Sequence, residues 1–251
     1  MCYNSVMNDW HNKDRSETSH SRMEDRLTAE GIRVENPALG INLYKNAISL
    51  DNCNKIISTL EQNLGEDKKF NWQPAMVTEA DTPETSARHC VDFKIGQHFK
   101  TLGPVSDSNA DLYGAHQTTF DSIFPISQDY GRYWGVGVNY FESFNFVKYE
   151  GAGTHFKVHA DHGPAYVCTI SIVAYLNDDY EGGEIYFPRF DLTIKPEPGD
   201  VVIFPSTFIY EHASQPMISG TKYSVVVMTD YNDRGGLRYH PYRQEDQKVI
   251  Y

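Results

Sequence analysis

Three residues have the types and the spacing to hold a metal ion. His159 and Asp161 form the single His-x-Asp among ten histidines, and His212 follows at the end of an apolar run, Val201 to Pro205. On an extended chain, residues i and i+2 project to the same face, so both members of the pair can meet one ion. Two imidazoles and one carboxylate leave three coordination positions open, which suits non-haem Fe(II); a structural zinc site would close with a fourth protein ligand. Open positions are what an oxygenase needs for a two-point co-substrate and O2. Taken alone, the pair also fits an ordinary polar strand with His159 hydrogen-bonded in a core.

A cation stands close by. Lys222 opens the apolar run Tyr223–Met228, ten residues after His212. A lysine pointing into a small barrel is costly unless it meets an anion. In strand phase Lys222, Ser224 and Val226 share one face, so an inward Lys222 with Ser224 beside it would bind a carboxylate entering the barrel. An outward Lys222 would simply begin the strand in solvent.

The elements that must position these groups are largely extended. Short β-type runs are expected at Gly137–Phe141, Asn145–Tyr149, Lys157–Asp161, Tyr166–Leu176, Glu184–Pro188, Val201–Phe204 and Tyr223–Asp230, with an earlier one at Ile41–Tyr44. Glycine-, proline- and Asn/Asp-rich turns lie between them. Many short strands with regular punctuation predict a double-sheet jelly roll. Leu50, Cys53, Ile56, Ile57, Leu60 and Leu64 recur at helical spacing, with Ser49 or Asp51 as the cap and Gly65 as the stop. A second helix is expected from about Asp107 to Ile123. The fold class is therefore mainly β with buttressing helices, a double-stranded β-helix. Residues 1–32 read as a flexible polar extension with Trp10 as a possible anchor, 33–231 as one domain with its jelly-roll core at about 133–231, and 232–251 as a polar tail.

Composition narrows the function. The 251 residues carry a net charge of -12, which argues against a nucleic-acid surface as the main feature. No stretch reaches 18 apolar residues, so no membrane span is expected. Cys2, Cys53, Cys90 and Cys168 lack CxxC spacing, so neither a disulfide framework nor a thiolate zinc site is expected. With no apolar signal segment at the N-terminus, the chain reads as cytoplasmic and reduced.

The ordered set of motifs resembles the Fe(II)/2-oxoglutarate-dependent dioxygenases, most closely the prolyl 4-hydroxylase-like branch. The matching pieces are Tyr149-x-Gly151, His159-x-Asp161, Tyr175-Leu176-Asn177, Glu181-Gly182-Gly183-Glu184 with Phe187-Pro188, Pro198-Gly199-Asp200 leading into Phe204-Pro205, His212, and Gly220-Thr221-Lys222-Tyr223-Ser224. They cover roughly Tyr133 to Asp230. The resemblance implies that His159, Asp161 and His212 are the catalytic iron ligands. It implies that Lys222 holds the distal carboxylate of 2-oxoglutarate, with Tyr149 and Ser224 assisting; a core tyrosine in an aromatic strand is the other reading of Tyr149. Fe(2+), 2-oxoglutarate and O2 are the implied cofactors, with ascorbate as a stimulant.

The implied activity is hydroxylation of an unactivated C–H, a prolyl residue of a peptide or protein, with release of succinate and CO2. A free amino acid or other small metabolite is the alternative substrate, and a non-catalytic jelly-roll binding module or a sensor are the other classes. Related halogenases replace the carboxylate, so Asp161 favours hydroxylation; nucleic-acid demethylases use Arg where this chain has Lys222. His155 falls in phase with His159 and could line the mouth, whereas His162 reads as solvent-exposed. Arg88, Asp92 and the Asp121–Arg132 stretch precede the core and are candidates for a substrate lid.

Overall fold

The structure is a computed structural model that describes residues 24–62, 72–77, 83–96, 110–163 and 167–230. Trp10, Gly65, Tyr239, Tyr242 and Tyr251 lie outside the described residues, as does nearly all of the expected extension and tail.

In chain order the strands are β1 (Arg26–Leu27), β2 (Arg33–Ala38), β3 (Ile41–Tyr44), β4 (Gln73–Pro74), β5 (Arg88–His89), β6 (Val91–Gly96), β7 (Tyr140–Glu150) and β8 (His155–His159). They continue as β9 (Ile170–Tyr175), β10 (Tyr180–Gly182), β11 (Ile185–Phe187), β12 (Leu192–Ile194), β13 (Val201–Pro205), β14 (His212–Ser214) and β15 (Met217–Asp230). Among the described residues two α-helices, α1 (Leu50–Gln62) and α2 (Ala110–Trp134), accompany these strands. The larger sheet has ten strands along the path β1-β2-β3-β13-β9-β15-β7-β6-β4, with β10 pairing β15. The smaller sheet has five, in the order β12-β11-β14-β8-β5. All the pairings are antiparallel, which gives the jelly roll expected from the turn spacing.

The larger sheet is buried on both faces, and alternation along its strands sorts residues between two cores. On β9, Ile170, Ile172 and Ala174 join the core under the helices, whereas Val173 and Tyr175 turn into the shell. On β15, Val225 and Val227 face the helices. Lys222, Ser224 and Val226 therefore share the opposite, inner face. A one-residue slip would swap these sets, so the apolar pattern pins the register.

Helix α1 starts where Ser49 Oγ accepts the Asn52 N–H at 3.3 Å, which selects Ser49 over Asp51 as the cap. It buries Cys53, Ile56 and Leu60 against the sheet. Helix α2 begins close to the expected place but runs on through Pro125 to Trp134, eleven residues past Ile123. Proline deletes one helical hydrogen bond. Buried Ile123, Ile126 and Tyr130 hold the two halves in line against the sheet. The Asp121–Arg132 stretch is thus part of a buttress on the outer side of the sheet and supplies no lid.

Other differences are local. The runs expected at Gly137–Phe141 and Asn145–Tyr149 are one strand, β7. Strands β2, β5, β6, β12 and β14 carry weak sequence signals and are ordered by their neighbours. Short β1 pairs with β2, and Arg26 is held there by Asp129 of α2 (Nη2–Oδ2 2.5 Å) and by stacking at 4.1 Å over Tyr133.

Candidate metal centre

His159 is the last residue of β8, and His212 is the first residue of β14, directly opposite in the ladder. Antiparallel pairing therefore joins two residues far apart in sequence, with ring centroids 4.4 Å apart. Asp161 lies not on the strand but in a bend just after it, because β8 ends at His159. The expected strand-phase argument does not deliver the carboxylate; the bend does. Ligand atoms of His159, Asp161 and His212 nonetheless all fall within 4.8 Å of one another.

The two imidazoles are oriented by the backbone. His159 Nδ1 lies 2.8 Å from the Lys157 carbonyl and His212 Nδ1 3.2 Å from the Tyr210 carbonyl. A carbonyl only accepts, so Nδ1 carries a proton, and in the neutral ring Nε2 keeps its lone pair. Those Nε2 atoms face the Asp161 carboxylate, at 3.5 Å from Oδ1 for His159 and 3.7 Å from Oδ2 for His212. Three lone-pair donors aimed at one point repel one another unless a cation sits between them. The donor set therefore fits a divalent metal, and its three residues leave room for further ligands.

Packing and charge hold the donors ready. Phe204 meets the His212 ring edge-on at 4.7 Å, and Phe156 stacks on His159 at 3.5 Å between centroids. Burial pulls His212 down to about 4, against the opposing pull of Asp161, so the ring is neutral near pH 7. Burial would raise the Asp161 carboxyl, but His212, His159 and the Ser171 hydroxyl together hold it well below the usual carboxylate range. Neutral imidazoles and an ionised carboxylate are the forms that bind metal.

Lys222 points inward and is only 2% exposed. Its Nζ donates to Gly183 O at 2.6 Å and to Ser214 Oγ at 2.5 Å, and lies 4.2 Å from the centre of the Tyr149 ring. Neither hydrogen-bond partner is an anion. Burial lowers Lys222 to about 7, with Cys90 and Glu184 pulling the other way. A buried ammonium with neutral partners is what a carboxylate would neutralise. Ser214 stands two residues from His212 on β14, so one short strand holds both a partner of the ammonium and one of the three candidate metal ligands. Tyr149, paired with Lys222 across β7 and β15, is also buried, as is Ser224. Ser224 lies beyond Lys222 on the inner face of β15.

Several residues at the site carry no sequence motif. Ser171, Ser214 and Phe156 are ordinary strand residues that only the fold brings to the site, whereas Gly183 belongs to the Glu181–Glu184 motif. A Cβ on Gly183 would stand 2.5 Å from Met217 Sδ and 3.4 Å from Lys222 Nζ, and its φ is +69. Glycine is required there by both space and conformation. Arg88 lies over the Phe156 ring at 4.9 Å and pairs with Asp92 at 3.3 Å, so both belong to the inner wall. His155 does not join the ligand cluster; its Nδ1 lies on Gly153 O and its Nε2 on Ser86 O. His162 is exposed, as expected. Among the described residues no helix is long and apolar enough to cross a membrane.

Comparison with known proteins agrees with this geometry. Residues 144–229 match the family described as the 2OG-Fe(II) oxygenase superfamily, whose cofactors are Fe(II), 2-oxoglutarate and O2. A PKHD-type hydroxylase from Crocosphaera subtropica is 32% identical over 93 residues, 34% of this chain; the match spans 40% of that protein's length. Among solved structures, a prolyl hydroxylase from Trichoplax adhaerens, in complex with a hypoxia inducible factor oxygen degradation domain peptide, superposes with a TM-score of 0.56 at 15% identity. That match covers 76% of this chain and 83% of the other. A Pseudomonas putida prolyl-4-hydroxylase superposes with a TM-score of 0.53 at 18% identity, covering 76% of this chain and 92% of the other. These two show the same fold. The matched residues include Tyr149, the His-x-Asp pair, His212 and Lys222, so in this part of its sequence the chain is similar to the 2OG-Fe(II) oxygenase superfamily.

Proposed function

We propose that this protein is a 2-oxoglutarate-dependent dioxygenase that hydroxylates a prolyl residue of a peptide or protein. The observation that carries the reading is the convergence of His159, Asp161 and His212 inside the shell, with buried Lys222 tied to the same strand through Ser214. Bound Fe(II) and 2-oxoglutarate would supply the oxidising chemistry, taking up O2, releasing succinate and CO2, and placing one oxygen on the C–H carbon.

The chain's own residues do the rest. His159 and His212 present unprotonated Nε2 atoms, and Asp161 supplies the one negative charge. Lys222 offers an ammonium to the far carboxylate of the co-substrate, and the Tyr149 ring and Ser214 hydroxyl keep it from turning away. Ser224 borders the same pocket. Phe156, Phe187 and Phe204 surround the imidazoles with apolar rings that exclude water. Strength of ion pairing rises when water is excluded, so the ammonium selects a dicarboxylate over a monocarboxylate.

Prolyl specificity is supported by the fold shared with two prolyl hydroxylases and by the resemblance of motifs. The test incubates the purified protein with Fe(II), 2-oxoglutarate, ascorbate and O2, together with proline-containing peptides and free amino acids. Succinate release with a one-oxygen mass gain on a peptide prolyl residue is the expected result. Gain only on a free amino acid would move the substrate class, and binding of metal without succinate release in any mixture would overturn the enzymatic reading.

A further inference from the structure

Asp161 is held by side chains rather than by a strand ladder. It follows β8 in a bend, so no ladder hydrogen bond fixes it. Side-chain groups from the opposite sheet hold it instead. Ser171 Oγ, fully buried on β9, lies 2.6 Å from Asp161 Oδ2. The same oxygen lies 2.8 Å from Ser206 Oγ, also buried, at the end of β13. A hydroxyl has one proton, and its bond to a carboxylate is the stronger choice. Ser171 therefore donates to Asp161, and Ser206 donates to Ser171.

The backbone locks the same place. The His162 N–H donates to Ser206 O at 2.9 Å, His162 Nδ1 lies 2.6 Å from Cys168 O, and the Ser206 N–H donates to Thr169 O at 3.0 Å. The residue after Asp161 is thus tied to the seam between β9 and β13 that carries both serines.

We propose that Ser171, backed by Ser206, is a positioning residue for the metal centre: its hydroxyl engages Asp161 Oδ2, so that the carboxylate meets the metal through Oδ1 alone. The proposal rests on the metal-centre reading above. A carboxylate gripping with both oxygens would use a fourth coordination position. Only two would then remain for a co-substrate that binds at two points and for O2. Single-oxygen ligation keeps all three open.

The experiment titrates Mn(II) into the metal-free protein without 2-oxoglutarate and reads free Mn(II) by electron paramagnetic resonance. It compares wild type, Ser171→Ala, Ser171→Thr and Ser206→Ala, each checked for a cooperative thermal melt. Loss of a hydrogen bond to a ligand typically weakens metal affinity about 10- to 100-fold. Ser171→Ala should lose about 10-fold, Ser171→Thr should recover to within about 3-fold of wild type because it restores the hydroxyl, and Ser206→Ala should lose about 3-fold. Equal affinity in wild type and Ser171→Ala overturns the proposal. So does a folded Ser171→Thr that binds no better than Ser171→Ala. Should Ser171→Thr fail to melt cooperatively, Ser206→Ala decides, and its unchanged affinity is the overturning result. Failure of the wild type itself to bind Mn(II) would instead defeat the metal-centre reading.

Discussion

Replacing Lys222 with methionine separates the function of its charge from its packing. The ammonium is buried, hydrogen-bonded only to Gly183 O and Ser214 Oγ, and lowered by that burial to about 7 from 10.5. Truncating one partner of a buried, hydrogen-bonded charge pair costs about 2–5 kcal/mol. Here the lower half of that range applies, because the free protein already carries the ammonium's desolvation. A loss of about 2–3 kcal/mol corresponds to a KM for 2-oxoglutarate raised roughly 30- to 150-fold. Metal binding should be unchanged, since Lys222 touches none of the three ligands.

The unliganded protein should respond with the opposite sign. Replacing a buried ion by an apolar side chain of similar volume is neutral or stabilising by about 1–4 kcal/mol, so the variant should melt no lower than wild type and up to several degrees higher.

The pH dependence follows from the same burial. Between about 7 and 10.5 the unfolded chain holds a proton on Lys222 that the folded, free protein has lost. The unfolded state binds more protons there, so this residue makes stability rise with pH across that window, with its full penalty below it. A dicarboxylate needs the protonated form, so its KM should rise as pH climbs above about 7 in wild type and lose that dependence in Lys222→Met. Steady-state kinetics at several pH values and thermal melts of the free protein make the check. A variant with wild-type KM, or one that melts well below wild type with an unaltered pH slope, would refute the assignment of Lys222 as a buried carboxylate anchor.

Asp161→Ala removes the only anionic ligand and should abolish both Mn(II) binding by resonance titration and succinate release; undiminished turnover would reject the ligand set. Gly183→Ala sets a Cβ 2.5 Å from Met217 Sδ on a backbone at φ +69, so a loss of about 1–3 kcal/mol in stability and a raised KM for 2-oxoglutarate are expected, read by denaturant melts and kinetics. Asp129→Ala leaves Arg26 and the buried Tyr44 hydroxyl without their shared partner, at 2.5 and 2.8 Å. It should cost about 3 kcal/mol and lower Tm by roughly 6–12 °C, yet leave Mn(II) affinity intact, because α2 lies on the outer side of the sheet.

The parts legible in the sequence are those with strong local patterns. The apolar runs Val201–Pro205 and Tyr223–Met228 mark strands, and the strand period says that Lys222, Ser224 and Val226 share a face, while burial of Val225 and Val227 under the helices decides that this face is the inner one. A cap at Ser49 or Asp51 and the Ile56–Leu60 spacing mark α1 in the same way. His159 and Asp161 alone also fit an ordinary polar strand; they and His212 stand out because the neighbouring motifs occur in order around them. The end of α2 is not legible: the expected helix stops at Ile123, but burial of Ile126 and Tyr130 carries it through Pro125 and outweighs one lost hydrogen bond.

Chain chemistry by itself determined which groups could bind a metal and a dicarboxylate, because residue type and strand period are local properties. Tertiary structure alone decided how they meet. Pairing of β8 with β14 sets His159 against His212, a bend rather than a strand delivers Asp161, and β9 and β13 bring Ser171 and Ser206 beneath it. Those contacts join residues with no shared pattern, separated by loops whose closure costs entropy and leaves no mark on nearby residues. They become specific only when a packed interior fixes the register of every strand at once.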